Sequence, residues 1–227
     1  MSMIQFEDVC YAYDGEPVLR HVDFAIEQGQ AVVLCGPNGA GKSTLLRMIN
    51  GLIYPEIGCY NFEGQQIDEK RMRGHKYSKW FHQRVGFVWQ DPAVQLFCGS
   101  VEEELAFGPQ QMGLPESEIR QRVREAMELL GLMRLAGRAP YTLSGGEKKK
   151  TAIASVLTMN PSVWTLDEPL SALDEATQDW LVEFLQALKA AGKTLIFSTH
   201  DRRLAADLAD VRLEVDAAHQ VRCIKQR

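Results

Sequence analysis

The sequence predicts an α/β fold in which a buried strand leads into a phosphate-binding loop and then a helix. Ala31–Cys35 is a short, continuous apolar run, as in parallel strands that are covered on both faces. The glycine-rich loop GPNGAGKST follows at residues 36–44, and apolar residues at helical spacing continue to Asn50. Val163–Leu166 and Thr194–Ser198 are further candidates for buried strands. Strands that alternate with helices are typical of a parallel sheet.

The first 90 residues predict strands on both sides of this loop. Residues 3–9 and 22–26 alternate apolar and polar positions around the turn Asp14–Pro17, which is the pattern of half-buried strands. Residues 51–84 combine strand-like and turn-rich pieces that end in a basic, aromatic stretch. Val85–Trp89 is another strand candidate.

From Pro92 to Asn160 the pattern is mainly helical. Ser100 and Glu103 fit a capping box at a helix start. A later amphipathic stripe ends at Gly131 and consists of Ile119, Val123, Met127 and Leu130.

The C-terminal part predicts one long helix and a hairpin. Asp174–Ala191 has helical character, and Gly192 is its expected C-cap. The tail from Val211 resembles a small hairpin.

Length and composition indicate one domain with one sizeable core. The chain has 227 residues, of which 45% are hydrophobic. We expect a single domain over residues 1–227, in which 1–90 and 161–227 form the core and about 91–160 form an embedded helical subdomain. The formal net charge of −5 argues against a broad nucleic-acid-binding surface, so no nucleic-acid partner is expected.

Neither a membrane span nor a secretion signal is predicted. No stretch approaches the roughly 18–20 apolar residues of a spanning helix, and the N-terminus lacks the basic start of a signal peptide. The five cysteines are scattered without a C-x-x-C pair, which is typical of free thiols in a reducing cytoplasm. We therefore expect any work at a membrane to require another subunit for the membrane part.

The loop at 36–44 has the spacing G-x-x-x-x-G-K-S that holds nucleotide phosphates. Its glycines let backbone N–H groups converge on phosphate oxygens, Lys42 reaches the β- and γ-phosphates, and the Ser43 hydroxyl ligates Mg²⁺. The nucleotide-binding residues predicted here are Asn38, Gly39, Ala40, Gly41, Lys42, Ser43 and Thr44.

Two carboxylates follow the strand Val163–Leu166, at the carboxyl end where parallel sheets bind ligands. Asp167 would hold Mg²⁺ through a water, and Glu168 would polarise the attacking water as general base. An isolated Asp-Glu-Pro sequence is more typical of a helix start, so this interpretation depends on the phosphate loop.

Three more side chains are candidates because of their positions. Gln90 follows a strand and would contact Mg²⁺ or water, and His200 follows another and would donate to the γ-phosphate. Tyr13 offers a flat face to adenine, with Tyr11 as the competing choice. Each residue alone is more typical of a structural role, so these assignments depend on the companion motifs.

The motif LSGGE at 143–147 is the second glycine-containing motif. Ser144, Gly145 and Gly146 at a helix start would form another anion-binding surface. A chain with two such surfaces can share its nucleotide with a second copy, so the sequence indicates an ATP-driven dimer.

The order of these motifs resembles the ATP-binding subunit of an ABC transporter over nearly the whole chain. The family's motifs are the A-loop (Tyr13), Walker A (Gly36–Thr44), the Q-loop (Gln90), the signature (Leu143–Glu147), Walker B (Asp167 and Glu168), the D-loop (Ser171–Asp174) and the switch histidine (His200). The resemblance implies the ABC ATPase architecture: a P-loop NTPase (RecA-like) core with an antiparallel β subdomain and an embedded helical subdomain.

The same resemblance implies a head-to-tail dimer with an identical or paralogous ATPase subunit. Each ATP would lie between Walker A of one copy and Ser144, Gly145 and Gly146 of the other, and Asp174 would communicate across the interface. ATP would close the dimer and hydrolysis would reopen it. The sequence departs from the family pattern at three positions. Glu147 stands where the family usually has Gln, Lys150 stands where it commonly has Arg, and Thr165 is a polar residue within the Walker B strand.

Residues 90–97, QDPAVQLF, and the following SVEEELAFGP are similar to the energy-coupling-factor (ECF) importers. That subgroup docks onto a membrane T component through this segment, here near Val94–Phe107. Val94, Phe97, Val101 and Leu105 would form an apolar stripe, and Glu102–Glu104 would receive arginines of the partner. The alternative is an internal core helix with a solvated acidic face.

The resemblance further implies an importer of cobalt or nickel ions at the cytoplasmic face of the cell membrane, with a membrane S component that binds the substrate. An importer of vitamins such as biotin is the alternative. The residues His75, His82 and Cys98 match no metal-ligand spacing, so no ion site is expected in this chain.

Other functions fit less well. DNA-repair ABC proteins insert long coiled coils between Walker A and signature, for which the interval 44–143 has no room. ABC translation factors usually carry two cassettes, and an ordinary P-loop kinase gives no role to Ser144–Gly146.

Overall fold

The structure, a computed structural model, describes residues 2–225. The strands are β1 (Ser2–Tyr13), β2 (Glu16–Glu27), β3 (Ala31–Cys35), β4 (Ile57–Phe62), β5 (Gln65–Gln66), β6 (Val85–Val88), β7 (Val163–Leu166), β8 (Thr194–Ser198), β9 (Val211–Val215) and β10 (Val221–Lys225). The α-helices are α1 (Lys42–Ile49), α2 (Glu69–Met72), α3 (His75–His82), α4 (Pro92–Gln95), α5 (Val101–Gln111), α6 (Glu116–Leu129), α7 (Gly145–Leu157), α8 (Glu175–Ala190) and α9 (Arg202–Leu208).

The described strands form two sheets. One is mixed, in the order β10-β9-β3-β8-β7-β6, with parallel pairing throughout except between β9 and β10. The other is antiparallel, in the order β2-β1-β4-β5. The predicted α/β class with an antiparallel β portion is therefore confirmed.

Apolar side chains cover both faces of the mixed sheet. Ala31 and Val33 belong to one buried cluster, and Val32 and Leu34 belong to another, because successive side chains of a strand point to opposite faces. The first cluster includes the helical residues between 101 and 156, and the second includes α1 and the antiparallel sheet. This double coverage explains the continuous apolar run at 31–35.

The N-terminal hairpin is longer than the sequence predicts. β1 and β2 extend to residues 13 and 27, and a two-residue turn joins them at Asp14 and Gly15, both with positive φ. Register shifts between Phe6 and Val9 interrupt the pairing. These irregularities break the apolar–polar alternation, so the periodic pattern marks only part of each strand.

The predicted apolar stripe of 94–105 is divided in the structure, which corrects the prediction. Val94 and Phe97 are 69% and 67% exposed, whereas Val101 and Leu105 are fully buried in the core. Glu104 is also buried, and its Oε2 accepts the backbone N–H groups of residues 97 and 98 at 2.8 and 2.7 Å. Only the first two apolar residues and the exposed carboxylates at 102 and 103 are accessible to a partner.

The predicted helix stops are close to those observed. The stripe from Ile119 to Leu130 is buried, and Gly131 follows it with φ +67. Asp174 caps α8 by accepting the N–H of Thr177, and Gly192 lies one residue beyond the C-cap. Within residues 2–225, no helix has both the length and the apolar character needed to cross a bilayer.

Candidate active site

A polar cavity of about 370 Å³ lies where the parallel strands end. β6 leads to Gln90, β7 to Asp167 and Glu168, and β8 to His200, so parallel pairing brings these side chains to the same edge as the loop after β3. The cavity is lined by Val18, Asn38, Gly39, Gly41, Lys42, Ser43, Thr44, Gln90, Asp167, Glu168, Ser171 and His200.

Backbone crowding requires glycine at both ends of the phosphate loop. A Cβ on Gly41, which has φ +114, would lie 2.7 Å from the carbonyl oxygen of Val18. A Cβ on Gly36 would collide with the carbonyl of Val215. The loop is therefore pressed between β2 and β9, and only glycine fits these positive φ angles without a clash.

The Lys42 ammonium lies inside this loop. Its Nζ donates to the carbonyl oxygens of Gly36 at 2.8 Å and Pro37 at 3.1 Å. Lys42 is also the first residue of α1, so the positive end of the helix dipole reinforces its charge. This concentration of donors and positive charge fits a chain of phosphate groups.

Ser198 links the Asp167 carboxylate to the Glu168 backbone, a role that the sequence analysis missed. Its hydroxyl donates to Asp167 Oδ1 at 2.6 Å and accepts the backbone N–H of Glu168 at 2.9 Å. The residue is buried at the end of β8, where the other side chains are largely apolar. A small polar residue at the end of an otherwise apolar strand was the available signal.

Glu168 has the geometry of a proton acceptor. Its φ of 42° lies in the left-handed region, which is strained for a residue with a side chain. Oε1 is buried and accepts no hydrogen bond from the described residues, although His200 Nε2 lies 3.4 Å away. His200 Nε2 donates to Asn38 Oδ1 at 3.0 Å, and its backbone N–H donates to Glu168 Oε2 at 3.3 Å.

The three predicted Mg²⁺ ligands lie around one cavity. Ser43, Gln90 and Asp167 offer a hydroxyl, an amide and a carboxylate, all oxygen donors. Residues 2–225 contain no cluster of three or more His, Cys, Asp or Glu side chains that could hold a metal by themselves. The set present fits Mg²⁺, which keeps several waters and binds together with substrate phosphates.

Two predicted nucleotide contacts are not among the cavity-lining residues. Ala40 is buried, and its carbonyl oxygen lies 3.1 Å from His219 Nδ1 in the C-terminal hairpin. Tyr13 is 37% exposed beside the hairpin turn, with Arg47 3.4 Å from its hydroxyl and the Tyr11 ring edge-on at 5.0 Å. The adenine-stacking role of Tyr13 stays a prediction.

The signature residues lie outside this cavity, at the start of α7. Ser144 is the N-cap: its hydroxyl accepts the N–H of Glu147 at 3.3 Å, and Glu147 Oε2 accepts the N–H of Ser144 at 3.0 Å. The Ser144 N–H lowers the pKa of the Glu147 carboxyl most, followed by the Ser144 hydroxyl, which also donates to Glu147 Oε2, at 3.0 Å. Ser144 and Gly145 are exposed.

The D-loop lies beside the signature in the same chain. A Cβ on Gly146 would lie 3.1 Å from Thr177 Oγ1, and the Thr177 hydroxyl donates to Asp174 Oδ2 at 3.0 Å. Glycine at 146 therefore lets the signature approach Asp174 closely. The signature face, which we define as Ser144, Gly145, Gly146 and Asp174, combines the two motifs expected at the dimer interface.

The other departures from the family pattern have local partners. Thr165 Oγ1 accepts from Asn50 Nδ2 at 2.8 Å and lies 3.0 Å from the carbonyl oxygen of Gly86, so its buried hydroxyl is satisfied. The Lys150 ammonium lies 4.6 Å from the ring centroid of Trp180, a cation–π contact.

Comparison with known proteins agrees with the motif order. The profile of the family described as "ABC transporter" matches residues 19–171. The nickel import ATP-binding protein NikO of Rhodobacter capsulatus is 46% identical over 209 residues, which are 91% of this chain and 82% of that protein.

Solved structures of such proteins superpose closely. CbiO1 of Clostridium perfringens, part of the ABC transporter complex CbiONQ, gives a TM-score of 0.84 at 34% identity, with 97% of this chain and 87% of that chain covered. The post-hydrolysis dimer of the ATP-binding cassette MJ0796 with ADP and phosphate gives 0.86 at 28% identity, with 99% of each chain covered. The chain belongs to the ABC transporter family, as an ATP-binding subunit that hydrolyses ATP.

Proposed function

We propose that this chain powers an ECF-type importer of nickel or cobalt ions. The observation that carries the proposal is the similarity to NikO over 91% of the chain, together with the ECF-like segment 90–109. In this proposal the membrane partner binds the transported ion as its substrate, as the resemblance to ECF importers implies.

In this proposal, two chains complete each other's nucleotide site. The signature face lies outside the cavity of its own chain, and its residues Ser144 and Gly145 are exposed at the start of α7, where they would meet the phosphates held by another copy. The dimeric state of the MJ0796 neighbour supports a dimer, and the head-to-tail arrangement is what the resemblance to the family implies. The second copy is either identical or a paralogue.

The cavity residues divide the hydrolysis step among them. The loop N–H groups and Lys42 hold the phosphate oxygens, and His200 donates to the γ-phosphate. Glu168 Oε1 accepts a proton from water as the water oxygen attacks the γ-phosphorus, and ADP leaves with the electron pair of the broken P–O bond. Ser43 and Gln90, with Asp167 through a water, would hold Mg²⁺, which would neutralise phosphate charge when bound.

A larger cavity, of about 630 Å³, is the proposed docking groove for the T component. We define the groove by its boundaries, which are α3, β6, α4, α5 and α7. Phe97 and Phe107 form its rim with their rings edge-on at 4.9 Å, and both are exposed. An exposed aromatic pair beside an apolar groove fits an inserted helix of a membrane subunit.

This docking would hold the chain at the cytoplasmic face of the membrane as a peripheral subunit. The S component that binds the ion would contact the T component within the membrane. Pull-down of the tagged chain from native membranes tests the assignment: an integral T-type subunit should co-purify. Recovery of nucleic acid in place of a membrane subunit would contradict it.

Two variants localise the docking. Phe97→Asp should remove the membrane subunit from the pull-down, whereas Leu129→Asp, at a similarly exposed leucine of α6, should retain it. Uptake of radioactive nickel, cobalt and biotin by cells that express the complex distinguishes the cargo. Nickel or cobalt uptake that depends on the chain is expected, and dependence of biotin uptake alone would support the vitamin alternative.

A further inference from the structure

A buried lysine of α7 holds the loop that follows β6. Lys149 is 1% exposed, and its Nζ donates to the carbonyl oxygens of Trp89 at 3.2 Å and Gln90 at 3.0 Å. Burial lowers the pKa of its ammonium to about 8, and Asp91 and Asp167 oppose the shift. A cation removed from water is tolerated only where fixed partners replace its hydration.

Gln95 holds the same loop through the N–H of Trp89, whereas Lys149 binds its C=O. Its Oε1 accepts the backbone N–H of Trp89 at 3.2 Å. Its Nε2 donates to the Ala152 carbonyl at 2.9 Å and to the Ser155 hydroxyl at 3.2 Å, both on α7. Trp89 is therefore tied to α7 through both its N–H and its C=O.

These contacts join two parts of the molecule that the function requires to act together. Gln90, the residue after Trp89, lines the phosphate cavity, while α7 begins at Ser144 on the signature face. Because Lys149 lies on the second turn of that helix, a displacement of α7 carries the Trp89–Gln90 backbone with it. The two other lysines of the run, Lys148 and Lys150, do not reach this loop; Lys150 lies over Trp180.

We infer that Lys149 and Gln95 are positioning residues that clamp the loop of Gln90 to the signature helix, so that the phosphate cavity of each chain responds to the position of its own α7. The inference rests on the proposed place of Gln90 at the Mg²⁺ and γ-phosphate. It assigns a positioning function to Gln95, the second glutamine of QDPAVQLF, and to Lys149, the middle lysine of 148–150.

The clamp is tested in the purified full chain with two single variants and one control. Lys149→Met keeps the length of the side chain and removes the ammonium, Gln95→Leu removes the amide, and Lys148→Met removes a neighbouring positive charge. We expect kcat for ATP hydrolysis to fall about tenfold in the first two, with KM for ATP within about twofold of wild type. The control should stay within about twofold in both constants.

Hydrogen exchange reads the clamp without any enzymatic assay. Gln95→Leu removes the acceptor of the Trp89 N–H, so exchange at that amide should accelerate at least about tenfold. The kcat of the double variant should lie within about twofold of the kcat of the slower single variant, because both residues hold the same short backbone segment at Trp89 and Gln90.

Two results would overturn the inference. If the Trp89 amide of Gln95→Leu exchanges at the wild-type rate, Gln95 does not hold Trp89 and the clamp does not exist. If Lys149→Met and Gln95→Leu have the same kcat as Lys148→Met, the clamp does not position the Gln90 loop for hydrolysis. Gln95 is only half-buried, so its variant carries the test if Lys149→Met fails to fold. Neither ATP hydrolysis nor hydrogen exchange depends on metal transport, so failure of the import proposal is distinguishable from failure of the clamp.

Discussion

The phosphate cavity is lined by Gln90 and the docking groove by the neighbouring Trp89, and the two differ in how their lining residues are arranged along the chain. The cavity is polar and takes most of its lining from one contiguous loop and from the ends of three parallel strands. The groove is lined by side chains scattered from Asn50 to Met159, many of them apolar. A site whose residues lie in one motif can be predicted from the sequence. The docking groove cannot, because its residues come from five separate elements.

The largest expected effect belongs to the cavity. Glu168→Gln keeps the shape of the side chain and removes the proton acceptor, so kcat should fall about a thousandfold while ATP still binds. Steady-state hydrolysis and gel filtration with ATP measure the loss and the accumulation of a closed dimer. Glu175→Gln, at an exposed carboxylate at the start of α8, is the matched control. Normal hydrolysis by Glu168→Gln would show that the base has been misidentified.

The next prediction separates core from groove within the stripe at 94–105. Leu105→Ala should lower the free energy of unfolding by about 2–5 kcal/mol, because it leaves a cavity between α5 and its neighbours. Val94→Ala, at a side chain that is 69% exposed, should change it by less than about 0.5 kcal/mol. Urea denaturation of the two variants measures both values. Equal losses of unfolding free energy in the two variants would mean that Val94 and Leu105 lie in the same environment, contrary to the structure.

Ser198→Ala tests the link between the Asp167 carboxylate and the Glu168 backbone. Loss of the hydroxyl leaves Asp167 Oδ1 and the Glu168 N–H without this partner, so kcat should fall about tenfold and the affinity for Mg²⁺ should weaken. Titration of hydrolysis with Mg²⁺ measures both effects. Ser162→Ala, which removes a hydroxyl bonded to the Arg84 carbonyl, should leave the Mg²⁺ dependence unchanged. If Ser198→Ala has the same Mg²⁺ requirement as wild type, the Ser198 hydroxyl does not orient Asp167 toward the ion.

The smallest expected effect concerns Glu147 beside the signature face. Glu147→Gln removes a negative charge from the surface proposed to face the phosphates of a second copy, so ATP-dependent dimerisation should tighten about two- to fivefold. The amide still accepts the Ser144 N–H and keeps the helix cap. Sedimentation in the Glu168→Gln background measures the association. A weaker dimer would mean that the carboxylate supports the interface through another contact.

The contrast between cavity and groove also explains which predictions succeeded. The fold class follows from the apolar strand before GPNGAGKST, because coverage on both faces leaves a signal in five consecutive residues. The carboxylates and His200 were placed correctly at the sheet edge because parallel strands all end on one side.

Long-range contacts account for what the sequence did not predict. Leu105 has the same polarity as Val94, and only the packing of α5 against α6 and α7 buries one and exposes the other. Lys149 is one of three adjacent lysines, and nothing local distinguishes the one whose ammonium reaches a loop 59 residues away. Ser198 is a single hydroxyl whose partners, Asp167 and Glu168, lie on another strand.

The central claim is that one chain supplies Lys42 and the other supplies Ser144 to the same ATP. Mixing a Lys42→Ala chain with a Ser144→Arg chain tests it directly, because each variant alone lacks one half of both sites. In the mixed dimer one site receives both intact halves, so the mixture should recover up to about a quarter of wild-type hydrolysis. A mixture as inactive as its two components, at concentrations where mixed dimers form, would contradict the shared site.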